Sequence, residues 1–377
     1  MKARDRVVAS LSRQPVDRVP IGFCGHNDCC IHRNAHWRLR QYLGLPACAP
    51  TIANDVENVV YAEEEILQGF EVDTRAVYLR IEDQVGDPQP DGSFLLVWPD
   101  GSVWRKPPDG LYFDLHWPPL RGELSSEAIA RMPWPEVSAE ALGDLRHRAV
   151  RLHEETDFAV VMSGFLIMPV TGTQIWRGFE QWCIDSVGDI IRWHEMTEAY
   201  MERALRQAGR ILGAVGELID VAYIIGDDIA TQQGPFISPR FYREHVKPFH
   251  RQAMEFIRER TDARIVFHMC GSARAFIPDL IDLGIDAINP VQTTANGMEP
   301  VQLKRDFGQD IAFWGGVDTQ RVLPFGQPED VRSEVLRIID SLGPSGLVLA
   351  SCHNVQADVP PENVVAMLET AINARGL

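Results

Sequence analysis

The feature that constrains the fold most is an alternation of helical segments with short apolar segments, which runs from about residue 140 to the end of the chain. Repeated strand and helix units of this kind predict βαβ connections and a parallel sheet. The apolar segments have the length of buried strands and lie at residues 159–162, 221–225, 265–268, 287–289, 311–314 and 347–350.

The length of 377 residues suits one barrel of about 250 residues that carries insertions. We therefore expect a single domain over residues 1–377 with an α/β fold, a TIM-type (β/α)8 barrel. An N-terminal arm is expected first, because Val7, Val8 and Leu11 form a helical pattern. A strand at residues 19–23 and a helix near residues 36–43 follow.

The composition changes at about residues 81–135, where prolines interrupt any long element. Asp91-Gly92 and Asp100-Gly101 stand between stretches rich in strand-forming residues, at 94–98 and 102–105. Such dipeptides are typical of hairpin turns. We interpret this region as a β-hairpin insertion that forms a lid or wall rather than a separate domain.

The net charge of −17 repels nucleic-acid phosphates and anionic lipid surfaces, so we expect neither as a partner. No apolar run approaches the roughly 20 residues that cross a bilayer, and no secretory signal is readable. We expect a cytoplasmic protein that acts on a small-molecule substrate. Seven cysteines are too few for a disulfide scaffold and indicate buried thiols or metal ligands.

Polar residues or glycines follow the predicted strands directly. In a parallel barrel these strand ends all lie on one face, where active sites form. The segments concerned are Gly226-Asp227-Asp228, Met269-Cys270-Gly271, Pro290-Val291-Gln292, Gly315-Gly316-Val317-Asp318 and Ser351-Cys352-His353-Asn354.

The most specific local signal is His268 and Cys270 beyond one strand end, with Cys352 beyond another. Three side chains of this kind can hold a metal and leave one position open, which is the arrangement of catalytic zinc. The alternative is that both cysteines are small buried hydrophobic residues and that His268 is a core histidine. The spacing alone leaves both open.

Longer stretches resemble the uroporphyrinogen decarboxylase superfamily, and in particular its branch of cobalamin-linked methyltransferases. The resemblance covers nearly the whole chain and implies the barrel fold. The matching stretches are residues 17–20, 226–228 with 237–239, 280–292, 313–320, 323–326 and 353–363.

In the methyltransferase branch, zinc is held by a His-x-Cys pair and a distant cysteine, which the resemblance places at His268, Cys270 and Cys352. The decarboxylases instead carry an Arg-x-x-Gly-Arg type of stretch after the first strand, where this chain reads from Cys24 to His32. The resemblance therefore favours methyl transfer, although His353 matches a histidine that the decarboxylases also have.

The activity that the resemblance implies is a zinc-dependent transfer of a methyl group between a corrinoid, such as methylcobalamin, or another donor and a thiol or related acceptor. The metal stabilises the thiolate of such an acceptor near neutral pH. In the known members the corrinoid is carried by a small separate protein. The alternatives are a metal-free lyase of the decarboxylase type and a non-catalytic protein that binds a corrinoid or tetrapyrrole.

Further site residues follow from the strand ends. We expect Asp227 or Asp228, together with His353, to take part in the chemistry, although an aspartate there can equally cap the next helix. Four further residues are expected to bind the substrate, through side-chain amides or a close approach of the backbone; they are Gln292, Asn354, Gly315 and Gly316.

The segment from Cys24 to His32 places several potential metal ligands at the expected mouth of the first strand. Its spacing fits no standard zinc pattern, and Cys29 and Cys30 cannot face one point if the segment is extended. A second metal site and a lining of the substrate pocket both stay open here. We assign His26 to the pocket lining.

Overall fold

The computed structural model describes residues 1–80 and 86–374. Its strands are β1 (Ile31–His32), β2 (Thr51–Asn54), β3 (Val59–Tyr61), β4 (Thr74–Val77), β5 (Asp87–Pro88), β6 (Phe94–Val97), β7 (Val103–Lys106), β8 (Asp114–Trp117), β9 (Ala159–Phe165), β10 (Val221–Ile224), β11 (Arg264–His268), β12 (Ala287–Asn289), β13 (Ala312–Val317) and β14 (Leu347–Ser351).

The helices are α1 (Ala3–Leu11), α2 (Arg33–Tyr42), α3 (Glu64–Gly69), α4 (Ser126–Ala130), α5 (Ala139–Glu155), α6 (Thr171–Arg177), α7 (Phe179–Gly188), α8 (Ile190–Val215), α9 (Pro239–Phe241), α10 (Lys247–Arg258), α11 (Ile277–Asp282), α12 (Pro300–Phe307), α13 (Val322–Phe325), α14 (Pro328–Leu342) and α15 (Pro361–Asn373). Asn27–Cys29 and Ala273–Phe276 are 3-10 turns, and Tyr242–Val246 is a π-helical turn.

The main sheet has seven parallel strands in the order β14-β13-β12-β11-β10-β9-β4. The segment around Ile21 closes it. Gly22 N donates to the Leu349 O of β14, and Leu349 N donates to Pro20 O. On the other side, Asp73 N, beside β4, donates to Ile21 O. The predicted TIM-type α/β barrel is therefore confirmed, whereas the strand expected at residues 19–23 is reduced to a single bridge between Ile21 and Leu349.

The barrel strands alternate between an inner and an outer face, as the period of a strand requires. Val221, Tyr223 and Val266 belong to an inner cluster with Ala287 and Trp314, whereas the residues between them pack on the surrounding helices. Val7 and Leu11 of α1 belong to the same inner cluster, so the N-terminal arm covers one end of the barrel. The opposite end, where the strands finish, is left for the site.

A separate antiparallel sheet, in the order β5-β6-β7-β8, occupies residues 87–117. The predicted hairpin is confirmed, since β6 and β7 pair antiparallel around Asp100-Gly101, and β5 pairs with β6 around Asp91-Gly92. The start of the predicted insertion, residues 81–85, lies outside the described residues. That this sheet acts as a wall over the barrel mouth stays a prediction.

Among the helices of the described ranges, none combines the length and the apolar character that a membrane span would need.

Candidate metal and catalytic site

His268 and Cys270 meet where β11 ends. His268 is the last residue of the strand and follows the inward-facing Val266 by two positions, so its ring enters the barrel. The chain then turns through Gly271, whose φ of +80° favours glycine. This turn brings the Cys270 Sγ to 3.2 Å from the His268 Nε2.

His353 completes a group of three potential metal ligands. Within residues 1–80 and 86–374, His268, Cys270 and His353 are the group whose ligand atoms all lie within 4.8 Å of one another. The rings of His268 and His353 are arranged edge to face at 5.6 Å. The structure thus brings together two of the three predicted zinc ligands and His353, which was expected to take part in the chemistry rather than to bind the metal.

Cys352 does not belong to that group in the described part of the chain. It follows β14 directly, its backbone N–H donates to Val317 O, and its thiol is buried. Burial, and then the neighbouring Asp318, raise the pKa of Cys352 well above the ordinary value of a thiol. Its thiol nevertheless lies close enough to help raise the pKa of Cys270, so its role as a ligand stays a prediction.

The two adjacent aspartates after β10 have different surroundings. Asp227 is fully buried and accepts hydrogen bonds from Val170 N, Thr171 N and the His250 ring at 2.8–3.0 Å. These contacts hold the start of α6 and a histidine of α10. Asp227 therefore has a structural environment, but the helix that it caps, α6, precedes β10 rather than following it as the capping alternative expected.

Asp228 instead faces the candidate metal ligands. Its Oδ1 accepts a hydrogen bond from Cys270 N at 2.8 Å and lies 3.6 Å from the His268 Nε2. The side chain is half exposed. Of the two aspartates, the structure brings Asp228 to the site, and its carboxyl group holds the turn that carries Cys270.

The far side of the His268 ring contacts two residues that the predicted site did not include, and through one of them it is connected to Asp28 of the Cys24–His32 segment. The His268 Nδ1 lies 2.8 Å from both the Tyr223 hydroxyl and the Asn289 Oδ1. The Tyr223 hydroxyl also lies 2.5 Å from the Asp28 Oδ2. Tyr223 and Asn289 stand within apolar strands, so only their inward position in the alternation, shared with Val221 and Ala287, could have indicated them.

His26 lies in the barrel interior, as its assignment to the pocket suggests. Its ring is fully buried, stacks on Tyr223 at 3.8 Å, and has an Nε2 without a hydrogen-bond partner among the described residues. Burial, and then the charges of His268 and His353, hold the pKa of His26 well below the ordinary value of a histidine. A neutral His26 therefore presents one free ring nitrogen beside the metal ligands.

Two cysteine thiols of the Cys24–His32 segment form hydrogen bonds with backbone carbonyl groups. Cys29 Sγ donates to Gly22 O at 3.1 Å, and Cys30 Sγ donates to His26 O at 3.2 Å. In the portion that the structure describes, no second group of potential metal ligands arises in this segment. Of its members, Asp28 and His26 are the ones whose side chains reach the candidate site.

Glu57 is a partly buried carboxyl group that no sequence pattern indicated. It lies between β2 and β3, where no strand was predicted, and its Oε2 accepts from Asn354 Nδ2 at 2.7 Å. Burial raises the pKa of Glu57, and His353 opposes that shift. Asn354 also accepts a hydrogen bond from Cys30 N. This predicted substrate-binding residue therefore connects Glu57 to the loop that precedes β1.

The remaining predicted substrate-binding residues serve the backbone around the site. The Gln292 Oε1 accepts from Gly271 N at 2.7 Å and so supports the turn after Cys270. Gly315 and Gly316 have φ values of +112° and +108°, which favour glycine. A Cβ on Gly316 would come within 2.9 Å of Ile338, so packing of the protein itself explains this glycine. Whether these residues touch a substrate stays a prediction.

The pKa values of the two central ligands follow from burial and nearby acids. Burial lowers the pKa of His268, but the carboxyl groups of Asp28 and Asp228 outweigh it and the pKa is raised overall. Burial raises the pKa of Cys270 well above the ordinary value, and Asp228 adds to this. The nearby carboxyl groups thus favour the protonated form of both groups.

Known proteins resemble this chain over its whole length. The decarboxylases of Xanthomonas euvesicatoria pv. vesicatoria and Coxiella burnetii, both named uroporphyrinogen decarboxylase, are 26% and 25% identical to it. These matches cover 98% of this chain and 98% and 94% of the two relatives. A solved structure described as a methyltransferase from Methanosarcina mazei shares the fold, with 17% identity, 99% of both chains covered and a TM-score of 0.67.

The sequence model described as Uroporphyrinogen decarboxylase (URO-D) matches residues 118–373. This range contains β9 to β14 and the strand ends that carry His268, Cys270 and His353. The chain belongs to the uroporphyrinogen decarboxylase family.

Proposed function

We propose that this family member is a zinc-dependent methyltransferase, which moves a methyl group between a corrinoid or other donor and a thiol or related acceptor. The observation that carries the proposal is the approach of the His268 Nε2 and the Cys270 Sγ to 3.2 Å at the end of β11. The fold is also that of a protein described as a methyltransferase, although fold alone does not determine function.

The residues present fit a zinc ion. Zinc bonds of about 2.0–2.3 Å to nitrogen and sulfur, in a tetrahedral arrangement, place neighbouring ligand atoms ~3.5 Å apart. The separation of 3.2 Å between His268 and Cys270 is close to this value. His268, Cys270 and one residue of the Cys352-His353 pair would hold the ion and leave a fourth position open.

When bound there, zinc would supply Lewis acidity that lowers the pKa of an acceptor thiol, so that the thiol reacts as a thiolate. The chain's own residues would prepare the site. The Asp228 carboxyl group holds the turn by accepting a hydrogen bond from Cys270 N, and the partly buried Glu57 contributes a carboxyl group that acts on His353. A corrinoid on a small carrier protein is the donor that we propose.

A carboxy-lyase is the second candidate, and the names of the curated relatives favour it. A porphyrinogen with many carboxylates requires cationic groups around it. The charged groups that act on His268 are the carboxyl groups of Asp28, Asp228 and Glu57, which would repel such a substrate. We therefore favour methyl transfer over decarboxylation.

The experiment that tests the proposal measures zinc, thiol binding and methyl transfer on the same protein. Protein purified without chelator is expected to contain about one zinc per chain. A panel of thiols is then titrated by calorimetry in several buffers, and binding of the acceptor is expected to release about one proton. Methyl transfer is followed from methylcobalamin. If the zinc-free protein instead decarboxylates a porphyrinogen, and no methyl transfer to any thiol is detected, the protein is a lyase.

The identity of the third ligand gives a separate prediction. If Cys352 binds the metal, Cys352→Ser is expected to weaken zinc binding by ~10-fold or more, which is the loss caused by removing a residue that only supports a ligand. In that case His353→Ala should leave the zinc content unchanged and lower turnover. The arrangement in the structure predicts the reverse order of zinc loss, because His353 lies in the ligand group. Zinc affinity measured by chelator competition decides between them.

A further inference from the structure

We propose that Asn289 and Tyr223 are positioning residues that hold the His268 ring in the tautomer with its proton on Nδ1. When the ring is neutral, its Nε2 lone pair then faces Cys270. The inference rests on the proposed function, since it concerns how the same metal site is prepared for binding. It adds a positioning role for two residues that are not themselves ligands.

The barrel places the three side chains together. His268 and Asn289 are paired residues on the neighbouring strands β11 and β12, and Tyr223 lies on β10, on the other side of β11. All three side chains are buried. Because parallel strands hold their inner residues in fixed register, the contacts among these side chains are determined by the sheet and not by a mobile loop.

Asn289 determines which atom donates. Its Nδ2 lies 3.3 Å from Trp314 O, a carbonyl oxygen that can only accept, so its Oδ1 is the atom that faces the His268 ring. An amide oxygen can also only accept. The His268 Nδ1 at 2.8 Å must therefore carry a proton and donate it to Asn289.

Tyr223 supports the same arrangement. Its hydroxyl has one proton, and its shortest contact, at 2.5 Å, is to the Asp28 Oδ2, which accepts the hydrogen bond. The hydroxyl oxygen then presents a lone pair to the His268 Nδ1 at 2.8 Å. Asp28 thus acts on His268 through Tyr223, which gives this member of the Cys24–His32 segment a function without direct metal binding.

The consequence lies on the opposite edge of the ring. With the proton fixed on Nδ1, a neutral His268 has its lone pair on Nε2, the atom that is 3.2 Å from the Cys270 Sγ. A ring without these partners could take the other tautomer, whose Nε2 proton would be favoured by the Asp228 carboxyl group 3.6 Å away. That tautomer cannot bind a metal through Nε2. Partners that orient a metal-binding histidine typically contribute 10- to 100-fold to affinity.

The test compares Asn289→Leu, Asn289→Asp and Tyr223→Phe by two measurements. Binding of Co²⁺ is followed through its thiolate absorption band, with affinity obtained by chelator competition. The tautomer of His268 is read from the nitrogen shifts of the metal-free protein, at a pH where the ring is neutral. Asn289→Leu is expected to lose ~10-fold or more in Co²⁺ affinity and the Nδ1-protonated tautomer, whereas Asn289→Asp, which keeps the acceptor, retains both. Tyr223→Phe is expected to lose less than Asn289→Leu.

The matched control is Tyr242→Phe, because Tyr242 is another buried tyrosine whose hydroxyl contacts a buried histidine, the His250 Nδ1 at 3.1 Å. It is expected to leave the Co²⁺ affinity unchanged. Unaltered affinity and tautomer in Tyr223→Phe and Asn289→Leu would overturn the proposal, and if Asn289→Leu does not fold, Tyr223→Phe alone decides. A wild-type protein that has the Nδ1 tautomer but binds no Co²⁺ would uphold the positioning and reject the metal site.

Discussion

Replacing Cys270 with serine is expected to remove most of the zinc from the protein. A serine hydroxyl is a poor ligand for zinc compared with a thiolate, and two protein ligands do not make a closed site. Residues that merely support a ligand contribute 10- to 100-fold to affinity, so loss of the ligand itself should cost at least ~100-fold. The Cys270 side chain lies 3.2 Å from the His268 Nε2, so His268→Ala is expected to have a similar effect.

The measurement is the zinc content after dialysis against a weak chelator, together with the affinity by competition. Cys183→Ser is the matched control, because Cys183 is a half-buried thiol on α7 outside the ligand group. Affinity should also increase with pH, since metal binding displaces the proton that the raised pKa of Cys270 retains. Full zinc occupancy in Cys270→Ser would remove the basis of the proposed function.

The barrel and the place of the site were predictable from the sequence because both depend on local patterns. Short apolar strands followed by polar residues specify parallel strands and the face on which their ends meet. His268 and Cys270 belong to such a strand end, and the structure brings them into contact. The pairing register of the strands is specified by the same pattern, because a slip of one residue would move the buried side chains of a strand to its other face.

The surroundings of the ligands were less predictable, because they depend on contacts between distant segments. The contact of Tyr223 with Asp28 joins residues 195 positions apart, and that of Asn354 with Glu57 joins residues 297 positions apart. No local pattern reports such contacts. Equally, the sequence could not say which of two neighbours, Cys352 or His353, would turn toward Cys270 once β14 had ended.

The roles of the adjacent Asp227 and Asp228 also depend on contacts with distant segments, which the sequence does not report. Replacing Asp227 is the second mutation for which we expect a large effect, here on stability. We expect Asp227→Ala to destabilise the fold by roughly 3 kcal/mol or more, because buried groups that lose their partner carry the full cost of desolvation. The mutation would leave Val170 N, Thr171 N and the His250 ring without the oxygens that they now contact at 2.8–3.0 Å. All of this occurs in a fully buried position.

The measurement is the melting temperature of the zinc-free protein, which should fall by roughly 4 °C or more for a chain of this size. Asp228→Ala is the matched neighbour, since Asp228 is half exposed and has Cys270 N as its hydrogen-bond donor. It should change the melting temperature little and weaken metal binding instead. If Asp227→Ala melted like the wild type but lost methyl transfer, Asp227 would have the catalytic role first expected of it, and its contacts with α6 and His250 would be incidental to the fold.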